Sequence, residues 1–261
     1  PFINVNIVVL FMYKSNLSVV MIGQNVSSVL SKSLESVRFM SDDIIYVDDY
    51  SIDNSVKIAK KYKCRVYLHE SRKDLGKQRE WALRKARNEW ILLLDADERV
   101  SEELARGIIS LLHSIRPEYI AFRIRFINHF LGKPLYYGGE QYKMIRLFRK
   151  SKSKYNSGLV HEKMTFGDGK IGYLNEPILH YSYRSLWQMY CKFTDYAIRE
   201  AEQKARAGEK SSLKKIFMYP VHMVWARFVK DEGYKDGLFR LPLDIGFGYM
   251  EFLTYLILAF K

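Results

Sequence analysis

The sequence predicts an α/β protein with a mostly parallel, Rossmann-like central sheet, a mixed β extension and a helical C-terminal region. Three observations carry this. Between residues 17 and 94, short apolar runs alternate with stretches whose apolar residues recur at helical spacing. Each of the longer apolar runs stops at polar or acidic residues, as strands buried on both faces do. Beyond Ser185 the periodicity is helical throughout.

The elements follow in order. Residues 1–16 form a lead-in. Its apolar part, Phe2 to Tyr13, is too short to span a bilayer and has no basic residues before it, so it does not read as a signal peptide. Leu17 to Ile22 is a first strand, followed by a turn at Gly23, Gln24 and Asn25. Val26, Val29, Leu30, Leu34 and Val37 then mark a helix. Asp43 to Val47 is a second strand ending at Asp48 and Asp49, and Ser51 to Asn54 supply caps for a helix through Tyr62. Arg65 to Leu68 is a third strand, Lys77 to Asn88 a helix, and Trp90 to Leu94 a fourth strand. Such alternation implies right-handed crossovers and a parallel sheet of nucleotide-binding type over residues 17–115. Residues 116–184 hold β segments at Tyr119 to Asn128, Tyr142 to Arg149 and Ile171 to Ser182. Residues 185–261 contain a charged helix from Trp187 to Ala207, an aromatic and basic segment from Leu213 to Val229 interrupted by Pro220, and an apolar segment from Leu241 to Phe260. Pro242, Asp244 and Glu251 argue against that last segment as a span and for an interfacial or packed helix.

Composition narrows the partners. The 261 residues carry 42 basic and 29 acidic side chains, a net charge of +13, which suits a polyanion, an anionic membrane or a phosphate-bearing substrate. Cys64 and Cys191 stand in no metal-binding spacing and read as packing residues of a protein in a reducing compartment. Basic residues interleaved with Phe217, Met218, Trp225 and Phe228 fit an anionic bilayer surface; an ordinary helical subdomain is the alternative.

The chemistry concentrates at strand ends. Ligands of open α/β sheets bind beyond the carboxyl ends of the strands. Asn25, Asp48, Asp49, Asp95 and Asp97 follow three strands that share one edge. Clustered carboxylates repel unless a cation offsets them, and a hard divalent ion held through oxygen does so beside a phosphate. The Asp95–Asp97 pair also suits the N-terminal cap of a helix. Lys77, Gln78 and Arg79 open the preceding helix, where phosphate or a base edge is favoured; a solvated helix face is the other reading.

Leu17 to Asn25, Ile44 to Asp53, Gly76 to Arg79 and Trp90 to Glu98 resemble the ordered motifs of glycosyltransferase family 2. Arg146 to Arg149, Val160 to Glu162 and His180 to Tyr183 are similar to its lipopolysaccharide-core glucosyltransferase branch. The resemblance covers residues 17 to 185. It implies a GT-A fold and an inverting, metal-dependent transfer from a nucleotide-diphospho-sugar, with uridine as the nucleoside. The acceptor would be a lipid-linked or lipopolysaccharide-type cell-envelope glycan at the cytoplasmic face of the inner membrane, where the chain would be peripheral or monotopic. Residues 17–115 would then be the donor half and 116–184 the acceptor side. It also implies that Asp48 contacts the base or ribose, that Asp95 touches ribose or metal, and that Asp97 is the main ligand of Mg²⁺ or Mn²⁺. Gln78 and Arg79 match the family's Gln-Arg pair near the nucleotide. Tyr50, Ile52 and Glu80 stand where the family usually has Gly, Thr and Asn.

Inversion by displacement requires a base for the acceptor hydroxyl. Glu162 is the leading candidate with His161 beside it, against a structural His-Glu pair; Glu140 is held in reserve. His180 reads as a satisfied core or rim histidine, and Arg146 and Arg149 face either an anion or solvent. Competing readings are a non-catalytic sugar-nucleotide-binding scaffold of the same fold, a nucleic-acid-binding protein and a nucleotidyltransferase. Acidic strand ends oppose a nucleic-acid groove, and no Gly-rich phosphate loop opens the first strand.

Overall fold

The computed structural model describes residues 16–71, 74–155 and 164–261. The chain divides into two compact units. The first ends at Phe126 and resumes over Lys143–His180; the second comprises Ile127–Tyr142 and Tyr181–Lys261. The strands are β1 (Leu17–Gly23), β2 (Asp43–Asp48), β3 (Arg65–Leu68), β4 (Trp90–Leu93), β5 (Glu98–Val100), β6 (Tyr119–Phe130), β7 (Lys133–Pro134), β8 (Lys143–Arg149), β9 (Ser153–Tyr155), β10 (Met164–Phe166) and β11 (Lys170–Tyr183). The helices are α1 (Ser27–Val37), α2 (Ser55–Lys61), α3 (Leu75–Arg84), α4 (Glu102–Ser114), α5 (Leu186–Arg206), α6 (Leu213–Trp225) and α7 (Leu241–Leu258).

The main sheet has the order β3-β2-β1-β4-β8-β6-β11-β5, with β7 on β6. Its first four strands are parallel, as the alternating pattern predicts, and β8, β6, β11 and β5 extend them with antiparallel pairs. The β extension is therefore continuous with the parallel sheet. The parallel strands are apolar throughout because both faces are covered: Val20, Ile45, Ile91 and Leu93 pack with Ala82, Leu83 and Ala86 of the α3 region.

Several local expectations shift. α3 begins two residues earlier than predicted, because Asp74 accepts the Lys77 amide as its cap. The helix after Asp97 is capped by Ser101, whose hydroxyl accepts the Leu104 amide at 3.2 Å, so the Asp95–Asp97 pair is not that cap. Between them lies β5, a strand that three residues do not announce by periodicity. Cys64 is half-buried, and burial pushes its thiol up to about 12, whereas Cys191 is exposed on α5 and does not pack as predicted.

In the second unit, Met189 and Phe193 of α5 meet Leu243 of α7, and Ala201, Ile216, Tyr255 and Leu258 join α5, α6 and α7. Pro220 does not interrupt α6. The ring removes one amide donor, yet the helix runs on to Trp225 and widens into a π-helical turn over Ala226–Lys230. The segment Leu238–Leu258 is long and apolar enough to cross a bilayer by length and composition, with mean hydropathy 1.3. Its Asp244 is fully buried and bound by Arg240 at 2.9 and 3.0 Å and by Arg227 at 3.3 Å. A buried carboxylate held by two guanidiniums marks this helix as a packing element of the unit.

Candidate active site

Parallel register brings the ends of β1 and β2 level, with Gly23 opposite Asp48, and Asp48 opposite Leu68 of β3. The loops that follow are laced together. Asn25 donates its amide to Ser51 Oγ at 2.8 Å and accepts the Ile52 amide on Oδ1 at 2.9 Å. Asp48 is fully buried; its carboxylate accepts the Ser51 amide at 2.7 Å, the Ser51 hydroxyl at 2.6 Å and the Tyr46 hydroxyl at 3.1 Å. Asp49 accepts the Ser71 amide at 3.0 Å and its hydroxyl at 2.5 Å. Asp53 accepts the amides of Ser27 and Ser55, the first residues of α1 and α2. Burial opposes its ionisation, but hydrogen bonds from Ser55 and Ser27 outweigh that and hold it well below the usual carboxylate range. Tyr50 stands in the left-handed region at φ 53° and is exposed, at the position where the family usually carries glycine.

On α3, Lys77 is exposed and pairs with Asp74 at 3.1 Å. Gln78 is buried and holds His69 through both its ring nitrogen and its carbonyl. Arg79 reaches the β4 end, where one nitrogen donates to both oxygens of Asp95 at 3.0 and 3.2 Å.

The loop after β4 is the electrostatic centre. Arg146 of β8 donates to Asp95 at 3.0 Å and to Glu98 at 2.5 Å, while the other Glu98 oxygen accepts the Asp95 amide. Burial opposes ionisation of Asp95, yet Arg146 and Arg79 hold its carboxyl well below the ordinary range. Glu98 goes the other way: burial and the Asp95 charge push it up to about 7, with Arg146 only partly offsetting them. β11 pairs with β5 so that His180 lies opposite Glu98. The His180 Nε2 sits 3.6 Å from Asp97 Oδ1, and the Phe126 ring meets the imidazole edge-on. Burial disfavours the imidazolium, but Asp97, Glu98 and Asp95 together raise its pKa.

The predicted residues thus separate by position. Asn25, Asp48, Asp49, Gln78, Arg79, Asp95 and Asp97 all lie in this unit at or next to the strand ends. Asp48, Asp49 and Asn25 bind the loops to one another. Asp95 is clamped by two arginines, and Asp97, about equally half-buried, pairs with His180. Sequence reasoning gave Glu98 no role, read His180 as a satisfied core or rim histidine, which its pairing with Asp97 fits, and left Arg146 undecided. The usable signal was the alternation in β8 and β11, which puts Arg146 and His180 on strands facing the Asp95–Glu98 loop. Glu140, the reserve base, is buried in the second unit with Arg227 and Asn128 on its oxygens, so it is not a free proton acceptor. His161 and Glu162 lie outside the described residues.

Asp97 with His180 offers one oxygen and one nitrogen donor. No group of three or more His, Cys, Asp or Glu side chains suited to a metal occurs among the described residues. Two protein donors nevertheless fit a divalent ion that takes the rest of its shell from phosphate and water.

An uncharacterized glycosyltransferase of Rickettsia prowazekii is 28% identical over 255 residues, spanning 94% of this chain and 83% of the relative. The lipopolysaccharide core biosynthesis glycosyltransferase LpsC of Rhizobium meliloti is 25% identical over 260 residues, spanning 95% and 90%. Among solved structures, a mannosyltransferase of Pyrobaculum calidifontis in complex with GDP-Man and Mn²⁺ is 12% identical, covers 95% of this chain and 86% of that one, and has a TM-score of 0.49. The profile of glycosyl transferase family 2 matches residues 18–171, more than half of the chain. With its parallel sheet, its acidic strand ends and this profile match, the chain belongs to glycosyltransferase family 2.

Proposed function

We propose that the protein is an inverting, divalent-metal-dependent hexosyltransferase. It moves a sugar from a nucleotide-diphospho-sugar, with UDP as the favoured carrier, to a lipid-linked or lipopolysaccharide-type glycan at the cytoplasmic face of the inner membrane. The observation that carries this reading is the Asp97–His180 pair at the end of the β4 loop, next to an Asp95 already neutralised by Arg79 and Arg146. The likeness to LpsC along nearly the whole chain supports the class of acceptor.

In this mechanism the loops fastened by Asp48, Asp49 and Asn25 form the wall for base and ribose. Asp95 and Arg79 fix the Asp97 loop before the donor arrives, so little reorganisation is left for the reaction. Asp97 and His180 would hold a divalent ion, which when bound would supply charge stabilisation for the diphosphate leaving group. Glu162, with His161 beside it, takes the acceptor proton as the hydroxyl oxygen bonds to the anomeric carbon and the bond to the diphosphate breaks. His161 and Glu162 enter through the family resemblance. A screen of nucleotide-sugar donors against membrane lipid extract, following nucleoside diphosphate release with Mg²⁺, Mn²⁺ or EDTA, tests the reading. Metal-dependent release with one donor supports it. Silence with every donor in the presence of active acceptor favours a sugar-nucleotide-binding scaffold.

A further inference from the structure

α6 is built inside out. Leu213, Phe217, Val221 and Trp225 recur every fourth residue and form one stripe, and each is between 49% and 75% exposed. Met218, beside the stripe, is 58% exposed. Only Ile216 of this helix is buried. A soluble helix turns such residues inward, and an exposed apolar stripe of this length marks an interaction surface. The stripe borders an apolar groove of about 310 Å³ lined by Phe217, Pro220, Val221, Ile245 and Phe252.

Charge selects the occupant. Residues 213–230 contain four basic side chains, Lys214, Lys215, Arg227 and Lys230, and no acidic one. Lys215 is drawn back to Glu209 at 2.8 Å, and Arg227 is held by Glu140 and Asp244. Lys214 stays exposed within the apolar arc, and Lys230 stays exposed at the end of the π-helical turn. Apolar and aromatic side chains with lysines among them suit the boundary between acyl chains and anionic headgroups. A second copy of the chain would meet the same lysines with its own.

We infer that the outward stripe of α6 is an in-plane docking face for an anionic lipid bilayer, with the adjoining groove accepting part of an acyl chain. α7, although the more apolar helix, lies beneath it as support. The inference deepens the membrane-acceptor reading above, on which the choice of a lipid partner rests.

The test is flotation of the full chain with vesicles of phosphatidylcholine alone and of phosphatidylcholine mixed with phosphatidylglycerol. The wild type should float with the mixed vesicles. Phe217→Glu combined with Val221→Glu should lower partitioning about tenfold or more, because carboxylates then enter the apolar layer. Lys214→Glu with Lys230→Glu should lower it by a similar factor on the mixed vesicles only. All four positions are exposed, and unchanged circular dichroism and melting temperature would certify the fold. A wild type that does not float overturns the inference, as do variants that float like wild type. So does a wild-type dimer in sedimentation that Phe217→Glu and Val221→Glu dissolve. A chain that floats but never releases nucleoside diphosphate keeps the docking face and loses the transferase reading. Turnover of detergent-dispersed acceptor without flotation does the reverse.

Discussion

Replacing Glu98 by Gln should change how stability depends on pH more than stability at any one pH. Glu98 is almost fully buried and its pKa stands at about 7 in the folded protein, against 4.5 for the ordinary group. A carboxyl whose folded pKa is raised stabilises the fold while it is protonated in both states. That contribution is fully present below pH 4.5 and is lost as pH rises through about 7. At about 1.4 kcal/mol per pH unit, the displacement corresponds to about 3 kcal/mol between pH 4.5 and pH 8. The glutamine side chain of the variant has no proton to lose. Its amide oxygen still accepts either the Asp95 amide or the Arg146 guanidinium, while its NH2 group faces the other donor, a cost that does not vary with pH. Urea unfolding of wild type and Glu98→Gln at pH 5 and pH 8 measures the effect, since groups remote from Glu98 cancel in the difference and the same pair on a His180→Gln background removes the coupled imidazole. The variant should gain about 2–3 kcal/mol relative to wild type over that interval. A difference that stays flat with pH would falsify the account of Glu98 as a carboxyl held at the edge of ionisation by burial and by Asp95.

Three further outcomes are expected, the second from the family resemblance and the others from the geometry. Asp97→Ala should abolish sugar transfer, and His180→Ala should weaken metal-dependent nucleotide binding by about tenfold or more in calorimetry; full activity in the first variant removes the metal assignment. Glu162→Gln should reduce kcat by about 10²–10⁴ with donor affinity unchanged, and an equal loss of donor binding would make it a structural residue instead. Arg240→Met should destabilise the second unit by about 3–5 kcal/mol, because Asp244 and Asp236 and the carbonyls of Tyr137 and Gly138 lose their common donor; thermal unfolding within about 1 kcal/mol of wild type would contradict this.

The parallel half was legible because its signals are local. Val20, Ile45 and Leu92 each sit in a run apolar on both faces, and helical spacing between the runs leaves few topologies. The acidic strand ends were legible for the same reason. The partners of those acids were not. His180 lies more than eighty residues beyond Asp97 and meets it only because β11 pairs with the three-residue strand β5. Nothing local distinguishes an imidazole at that register from one in a core. Arg146 likewise alternates with Ile145 and Leu147, and its face was decided by pairing with β4 and β6. Non-local register, rather than residue type, gave the acids after β4 different partners, two arginines for Asp95 and His180 for Asp97.

That separation bears on what the +13 charge is for. The two arginines nearest the Asp95 loop are already committed to Asp95 and Glu98, and His180 faces Asp97. Neutralising donor carboxylates therefore accounts for little of the excess. Under the proposed function, an anion arriving at this loop would meet a nearly balanced cluster, which would leave electrostatic work for a cation brought with it. The basic surplus must act elsewhere. The acid-free stretch 213–230, with Lys214 exposed among Phe217, Val221 and Trp225 and Lys230 exposed at its end, is a part of the described chain where charge and apolar surface point to the same partner. Reversing Lys214 and Lys230 should therefore leave nucleotide binding unaltered while reducing turnover on acceptor held in anionic vesicles, and a matching loss on both would place these lysines in the donor chemistry after all.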